Sequence, residues 1–265
     1  TRGWVATSLT VGGQSFAYSA SFGRPGLEVF SIGSSGAFSH IRSYTDGSWK
    51  RLGDVTALAH ATLHGRDILF AASAIDAGIQ SYRVWLNGTL GRTDREVPTE
   101  LTGSPFYAIT EMVAVDMGLR AFLVAGAAAT DTLSVFRVSE DGKLKAVDTV
   151  WDTRDTRFQG LTSVELIDTG DRKIIVAGGA DDGISFFELT WNGRLVHLGS
   201  LADDFTNTLK DVSDIEATGS GADWSSAVSS YSEPGFTVFT LDLSGFGAEV
   251  FGGAVPNAIT GTPCD

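Results

Sequence analysis

Cysteine is nearly absent. The one present, Cys264, is the penultimate residue, so an internal disulfide is excluded and stability has to come from packing. Long apolar runs are absent too: none approaches the ~18 residues of a membrane helix, which argues against membrane insertion. No basic stretch followed by an apolar one opens the chain, so any export signal would lie outside it. Cations are scarce, with 19 Lys and Arg against 32 Asp and Glu and a net charge of −13. A field of that sign repels phosphate backbones, so nucleic acid is not an expected partner. Catalytic signatures are also missing: there is no nucleophile elbow, Walker loop or dinucleotide fingerprint. The four histidines, His40, His60, His64 and His197, do not fall at metal-ligand spacing.

What the chain has is glycine, 32 of 265 residues, and it recurs with a period. Five apolar stretches end on an aromatic at positions 30, 82, 136, 187 and 239, separated by 52, 54, 51 and 52 residues. Six residues after each aromatic stands Gly36, Gly88, Gly142, Gly193 or Gly245, and upstream stand Gly13, Gly65, Gly118, Gly170 and Gly221. Glycine at both sites reads as the positive-φ residue of hairpin turns, with Asn87-Gly88, Asp141-Gly142 and Asn192-Gly193 as type I′ signals. Each repeat then contains four strands. In the fourth they are Leu161 to Ile167, Lys173 to Gly179, Ile184 to Thr190 and Leu195 to Leu201. The second strands are rich in small residues, as in Ala71-Ala72-Ser73-Ala74 and Val176-Ala177-Gly178-Gly179, which suits sheets packed closely face to face.

Four antiparallel strands repeated at this period predict an all-β fold, a five-bladed β-propeller. The propeller is expected over 1–253, with repeats of about 4–54, 55–107, 108–159, 160–210 and 211–253, followed by a tail or linker over 254–265. The last repeat has room for a fourth strand at Ala248 to Gly252. Ring closure is expected to hide the outer apolar faces and leave a monomer.

The phrase Asp131-Thr-Leu-Ser-Val-Phe-Arg-Val-Ser-Glu-Asp-Gly-Lys-Leu144, with Thr169 to Phe187 after it, resembles the repeat of lactonase-type and YVTN-type propellers. The resemblance covers repeats two to four well and the outer two more loosely. It implies fold rather than activity, because that group usually has seven blades and none of its functional positions is matched. The end of the chain, Asn257 to Asp265, is similar to the linker that leads into calcium-binding RTX repeats of bacterial secreted proteins. That implies a propeller domain of a longer, secreted or extracellular protein.

Three constellations are candidates for chemistry. Loops between successive repeats carry Trp49, Phe106, Tyr107, Trp151, Phe158 and Phe205, which suit stacking on a glycan or docking of a protein surface, or else plug gaps between blades. Loops between second and third strands carry Asp76, Asp131, Asp181, Asp182 and Glu233. These are oxygen ligands for calcium, or Asx residues serving turns. Glu111, Glu165 and Asp214 lie near the start of first strands, where paired carboxylates would serve as acid and base, or where the neighbouring Thr and Ser residues have a structural role. The reading taken forward is a non-catalytic recognition domain that binds a glycan or protein surface. The alternative is a lactonase-like hydrolase working at the mouth of the channel.

Overall fold

The computed structural model describes residues 3–47, 52–63, 65–74, 78–96, 108–204, 206–221 and 223–242. No helix occurs among them. The chain divides into two compact units, Thr1–Thr149 and Val150–Asp265, and each is built of antiparallel sheets in which consecutive strands are neighbours.

The first unit holds three sheets. The first comprises Trp4–Val11 (β1), Gln14–Ser21 (β2), Leu27–Ile32 (β3) and Phe38–Tyr44 (β4); the second Val55–Leu63 (β5), Arg66–Ser73 (β6), Gly78–Val84 (β7) and Leu90–Glu96 (β8). The third comprises Ile109–Asp116 (β9), Ala121–Ala127 (β10), Thr132–Val138 (β11) and Leu144–Trp151 (β12), whose end passes the boundary of the unit. In the second unit, Ser163–Asp168 (β13), Lys173–Gly178 (β14), Gly183–Leu189 (β15) and Leu195–Ala202 (β16) form one sheet. Val212–Ser220 (β17), Asp223–Ser230 (β18) and Phe236–Asp242 (β19) form another. The fourth strand expected at Ala248 to Gly252 lies outside the described residues, as do Gly245 and the tail.

Sheets stack face to face because each buries an apolar face on the next. In the first unit Phe16, Tyr18 and Val29 pack with Leu58, Leu69 and Tyr82, while Phe70 and Ile79 pack with Met112, Leu123 and Phe136. In the second unit Val176 and Phe186 pack with Val212, Ile215 and Phe239. Each fully buried large side chain contributes roughly 1.5–3 kcal/mol. The small residues of the second strands are needed for this stacking. A Cβ on Gly178 would lie 2.9 Å from Val212 and 3.2 Å from Ile215 of the neighbouring sheet.

The hairpins correct one expectation. Gly88, Gly142 and Gly193 have positive φ, but Asn87, Asp141 and Asn192 do not, so these are not type I′ turns. Gly193 N–H donates to Thr190 O at 2.8 Å and Thr190 N–H to Arg194 O at 2.9 Å, and the same pair of bonds closes the hairpins at Gly88 and Gly142. This is a type I turn followed by a glycine bulge, a three-residue loop. A second bulge follows at the periodic aromatic, between Val29/Phe30, Ser81/Tyr82 and Phe186/Phe187. Its recurrence at the same phase makes it part of the repeat.

Candidate functional site

The first strands begin with a recurring backbone device. Asp54, Ala108, Gly160 and Asp211 all have positive φ, near 50° to 60°. Two residues later stand Thr56, Thr110, Thr162 and Ser213. Pairing slips past Thr56, Thr110 and Ser213, and Thr162 lies just before the first paired residue of β13, its N–H bonded to Gly178 O. A bulge re-aims a side chain. Two of these hydroxyls turn to the next sheet: Thr56 Oγ1 donates to Ile109 O and Thr162 Oγ1 to Val212 O, both at 2.6 Å, while the Ser213 hydroxyl bonds that of Ser229 in its own sheet.

Asp214 belongs to the same joint in the second unit. Its carboxylate accepts from Ser163 Oγ at 3.3 Å and from Ile215 N–H at 3.0 Å, and the Ile215 N–H also donates to Ser163 Oγ at 3.1 Å. Glu165 is half-buried on β13, two residues from Ser163 and on the same face. Glu111 is half-buried on β9 of the first unit. The sheet joint therefore engages Asp214 and the strand-one hydroxyls of Thr56, Thr162 and Ser163.

The loops leading into the first strands answer part of the aromatic question. Asp152 accepts the Phe158 N–H at 3.1 Å, Asp203 the Leu209 N–H at 3.0 Å and Asp46 the Leu52 N–H at 2.8 Å. Phe158, Leu209 and Leu52 are each fully buried. The pattern is Asp followed six residues later by a plug, and Phe158 is that plug, meeting Phe187 edge-on at 5.7 Å between centroids. An aromatic is not required, since two of the three plugs are leucine. Trp151 is different, 48% exposed at the end of β12. Trp49, Phe106, Tyr107 and Phe205 lie outside the described residues.

Asp131 and Asp182 occupy left-handed backbone positions immediately before β11 and β15, where a short Asx side chain is tolerated better than most. Asp182 also accepts the Asp211 N–H at 3.2 Å. Asp181 lies 3.5 Å from Arg157, yet its burial and the nearby Asp152 hold its carboxyl above the usual range. Among the described residues no three His, Cys, Asp or Glu side chains gather in a way that could hold a metal; Asp76 lies outside them. His40 and His197 pack on the periodic aromatics Phe30 and Phe187.

Two features lie largely beyond the sequence reading, which singles out only Trp151 of the residues concerned as a binding candidate. Four of the five described tryptophans are substantially exposed: Trp4 by 70%, Trp191 by 69%, Trp151 by 48% and Trp85 by 45%. Trp85 and Trp191 both sit in the loops that connect third and fourth strands. The second feature is a pair of cavities in the first unit, of about 360 and 440 Å³, which share Glu140 and Asp141 and whose other lining residues include three arginines in one and four arginines and lysines in the other. A signal for both was present, because the residues flanking the hairpin glycines carry the indoles and many of the arginines.

No family model matches the chain, and no curated protein matches it. Solved structures do. A protein from Lactobacillus plantarum is 16% identical, with 89% of this chain and 66% of that one covered at a TM-score of 0.66. A functionally unknown protein from Desulfotomaculum acetoxidans is 11% identical, with 93% and 67% covered at 0.65. A "putative 6-phosphogluconolactonase" from Bacteroides uniformis is 11% identical, with 94% and 70% covered at 0.65. This chain spans about two thirds of the length of these neighbours. Likeness at that identity speaks to architecture alone: the all-β, antiparallel fold of this chain is shared with these propeller-like neighbours.

Proposed function

We propose that this chain is a non-catalytic recognition domain, a propeller of five blades that binds glycans through indole side chains at its surface. The observation that carries the reading is the exposure of Trp4, Trp151 and Trp191, which are 70%, 48% and 69% exposed. An exposed indole offers a flat apolar face with one polar edge, which suits a sugar ring. The blade count rests on the five-fold sequence period. The engagement of Asp214 and the strand-one hydroxyls in the sheet joint favours a structural over a catalytic role for that region.

The second reading is a lactonase-like hydrolase, favoured by the neighbour described as a putative 6-phosphogluconolactonase. Both are tested on one preparation, by a glycan array and a lactone-hydrolysis assay. The recognition reading expects array signals that fall with Trp191→Ala or Trp151→Ala, and no lactone turnover. Turnover that is lost in Glu111→Gln or Asp214→Asn would overturn it. A secreted, RTX-type setting and calcium binding belong to the same proposal as its outer parts. They are tested by the sequence that follows Asp265 and by calcium titration of the protein.

A further inference from the structure

We infer that the two adjoining cavities of the first unit form an oxyanion-binding groove for an acidic oligosaccharide, one whose sugar rings carry carboxylate or sulfate groups. This rests on the recognition reading and names the class of glycan.

The distribution of charge is the first argument. The chain has 19 Lys and Arg and a net charge of −13, yet cations gather on both sides of the hairpin between β11 and β12. One cavity is lined by Arg66, Arg83 and Arg92 over Ile68 and Trp85. The other is lined by Arg120, Arg137, Lys143 and Lys145. Among the described residues the only carboxylates in either lining are Glu140 and Asp141. Asp141 is paired with Lys143 at 2.9 Å, and its hydrogen bonds from Ser139 and Lys143 lower its pKa to about 2. Arg92, Arg137 and Lys145 enter no ion pair among the described residues. Screening over roughly 8–10 Å in physiological salt lets such a patch act locally within an acidic surface.

Preorganisation is the second. The Arg83 guanidinium stacks on Trp85, 4.4 Å from the ring centroid. Stacking uses the face of the guanidinium and leaves its in-plane N–H donors pointing outward, the geometry that suits a carboxylate or sulfate. Trp85 in turn rests on Gly91, where a Cβ would lie 2.9 Å from Nε1 and 3.3 Å from two ring carbons. Gly91 does not have positive φ, so glycine serves there to make room for the indole. Arg66 is held by its bond to Glu140 O at 2.8 Å.

Size and the spacing of the cations select the polyanion. Each cavity has the size of a small-ligand site, and cations on both sides of one hairpin suit a chain with repeated acidic groups. A nucleic acid strand binds by stacking bases on aromatic faces, but Arg83 already stacks on Trp85 in the place a base would take. The overall charge further disfavours a long, densely charged phosphate polymer.

The test measures binding by the intact chain of an oligogalacturonate, a sulfated oligosaccharide, a neutral oligosaccharide of equal length, polyphosphate and a single-stranded oligonucleotide. Either acidic saccharide, or both, is expected to bind more tightly than the other probes and to weaken with salt; which one binds identifies the charged group. The double variant Arg92→Glu/Arg137→Glu and the single variant Trp85→Ala are expected to weaken binding about tenfold or more. Arg194→Glu, an exposed cation of the second unit, is expected to leave it unchanged. Circular dichroism melts establish that the variants are folded. Acidic saccharides that fail to bind, or bind the double variant equally well, overturn the proposal, as does tighter binding of the oligonucleotide or polyphosphate. Neutral saccharides binding alone would also overturn it while leaving the recognition reading intact, whereas lactone turnover overturns that reading instead.

Discussion

Phe16 lies so close to Gly88 that a Cβ on the glycine would sit 2.3 Å from the phenyl ring. The same neighbourhood is tied by Tyr18, whose buried hydroxyl donates to Gly88 O at 2.9 Å. A hairpin turn of the second sheet thus forms part of the core between the first two sheets.

Gly88 and Gly36 occupy the same phase of the repeat and have nearly the same φ, 76° and 79°, but nothing lies within 4 Å of a Cβ on Gly36. Gly36→Ala is expected to cost only the left-handed backbone term, about 1–2 kcal/mol. Gly88→Ala adds overpacking of about 1–3 kcal/mol. Urea denaturation of both variants checks the contrast, and equal losses would show that backbone strain alone is at work.

Asp152→Ala leaves the Phe158 N–H without its partner and removes one acceptor of the Thr156 hydroxyl, the Thr153 carbonyl remaining at 3.2 Å. A buried donor left unsatisfied costs about 1–3 kcal/mol. Asp203→Ala, which frees the Leu209 N–H, is expected to cost a similar amount, and comparable denaturation midpoints for the two would establish the Asp-to-plug pattern as the holding element of these loops.

Thr162→Val keeps the shape of the side chain but removes its hydroxyl bond to Val212 O. The expected loss is about 1 kcal/mol, with recovery in Thr162→Ser. Measured stability that is unchanged in the valine variant would show that the bond contributes nothing net.

Asp181 gives a pH prediction of less familiar sign. Burial, with the nearby Asp152, raises its pKa above 3.8 in the folded state despite Arg157. A carboxyl shifted upward lowers stability when both states are ionised, and the folded state recovers as pH falls through the folded pKa towards the unfolded one. Asp181→Asn is therefore expected to be more stable than the parent at neutral pH, with the difference fading towards pH 3.8. Melting curves across that range check the sign, and a neutral-pH loss would mean that the Arg157 pair dominates.

Local chemistry repeated at a fixed spacing is what made the fold legible. A glycine that must take positive φ marks each turn wherever it falls, and alternation of apolar residues marks a strand without knowledge of its neighbour. Gly193 with the strands on either side of it, Gly183–Leu189 and Leu195–Ala202, lies within a residue or two of where those patterns put them. The identity of the turn was not legible, because Asn87 and Asn192 carry the same residues in a type I′ turn and in a bulged type I turn, and only the φ they adopt tells the two apart.

By itself, then, the sequence determined the strands, their order and the small residues where sheets come close, since each follows from a neighbour in the chain. Contacts between distant segments decided the rest. Phe158 became a plug because Asp152 bonds its N–H and Phe187 lies beside it. Asp214 joined a structural hydrogen bond because Ser163, 51 residues away, faces it. Arg83, Arg92 and Arg137 came to line two cavities with a common border because stacking brings the hairpin between β11 and β12 beside β8. Composition counts charges but carries no record of which side chains packing brings together.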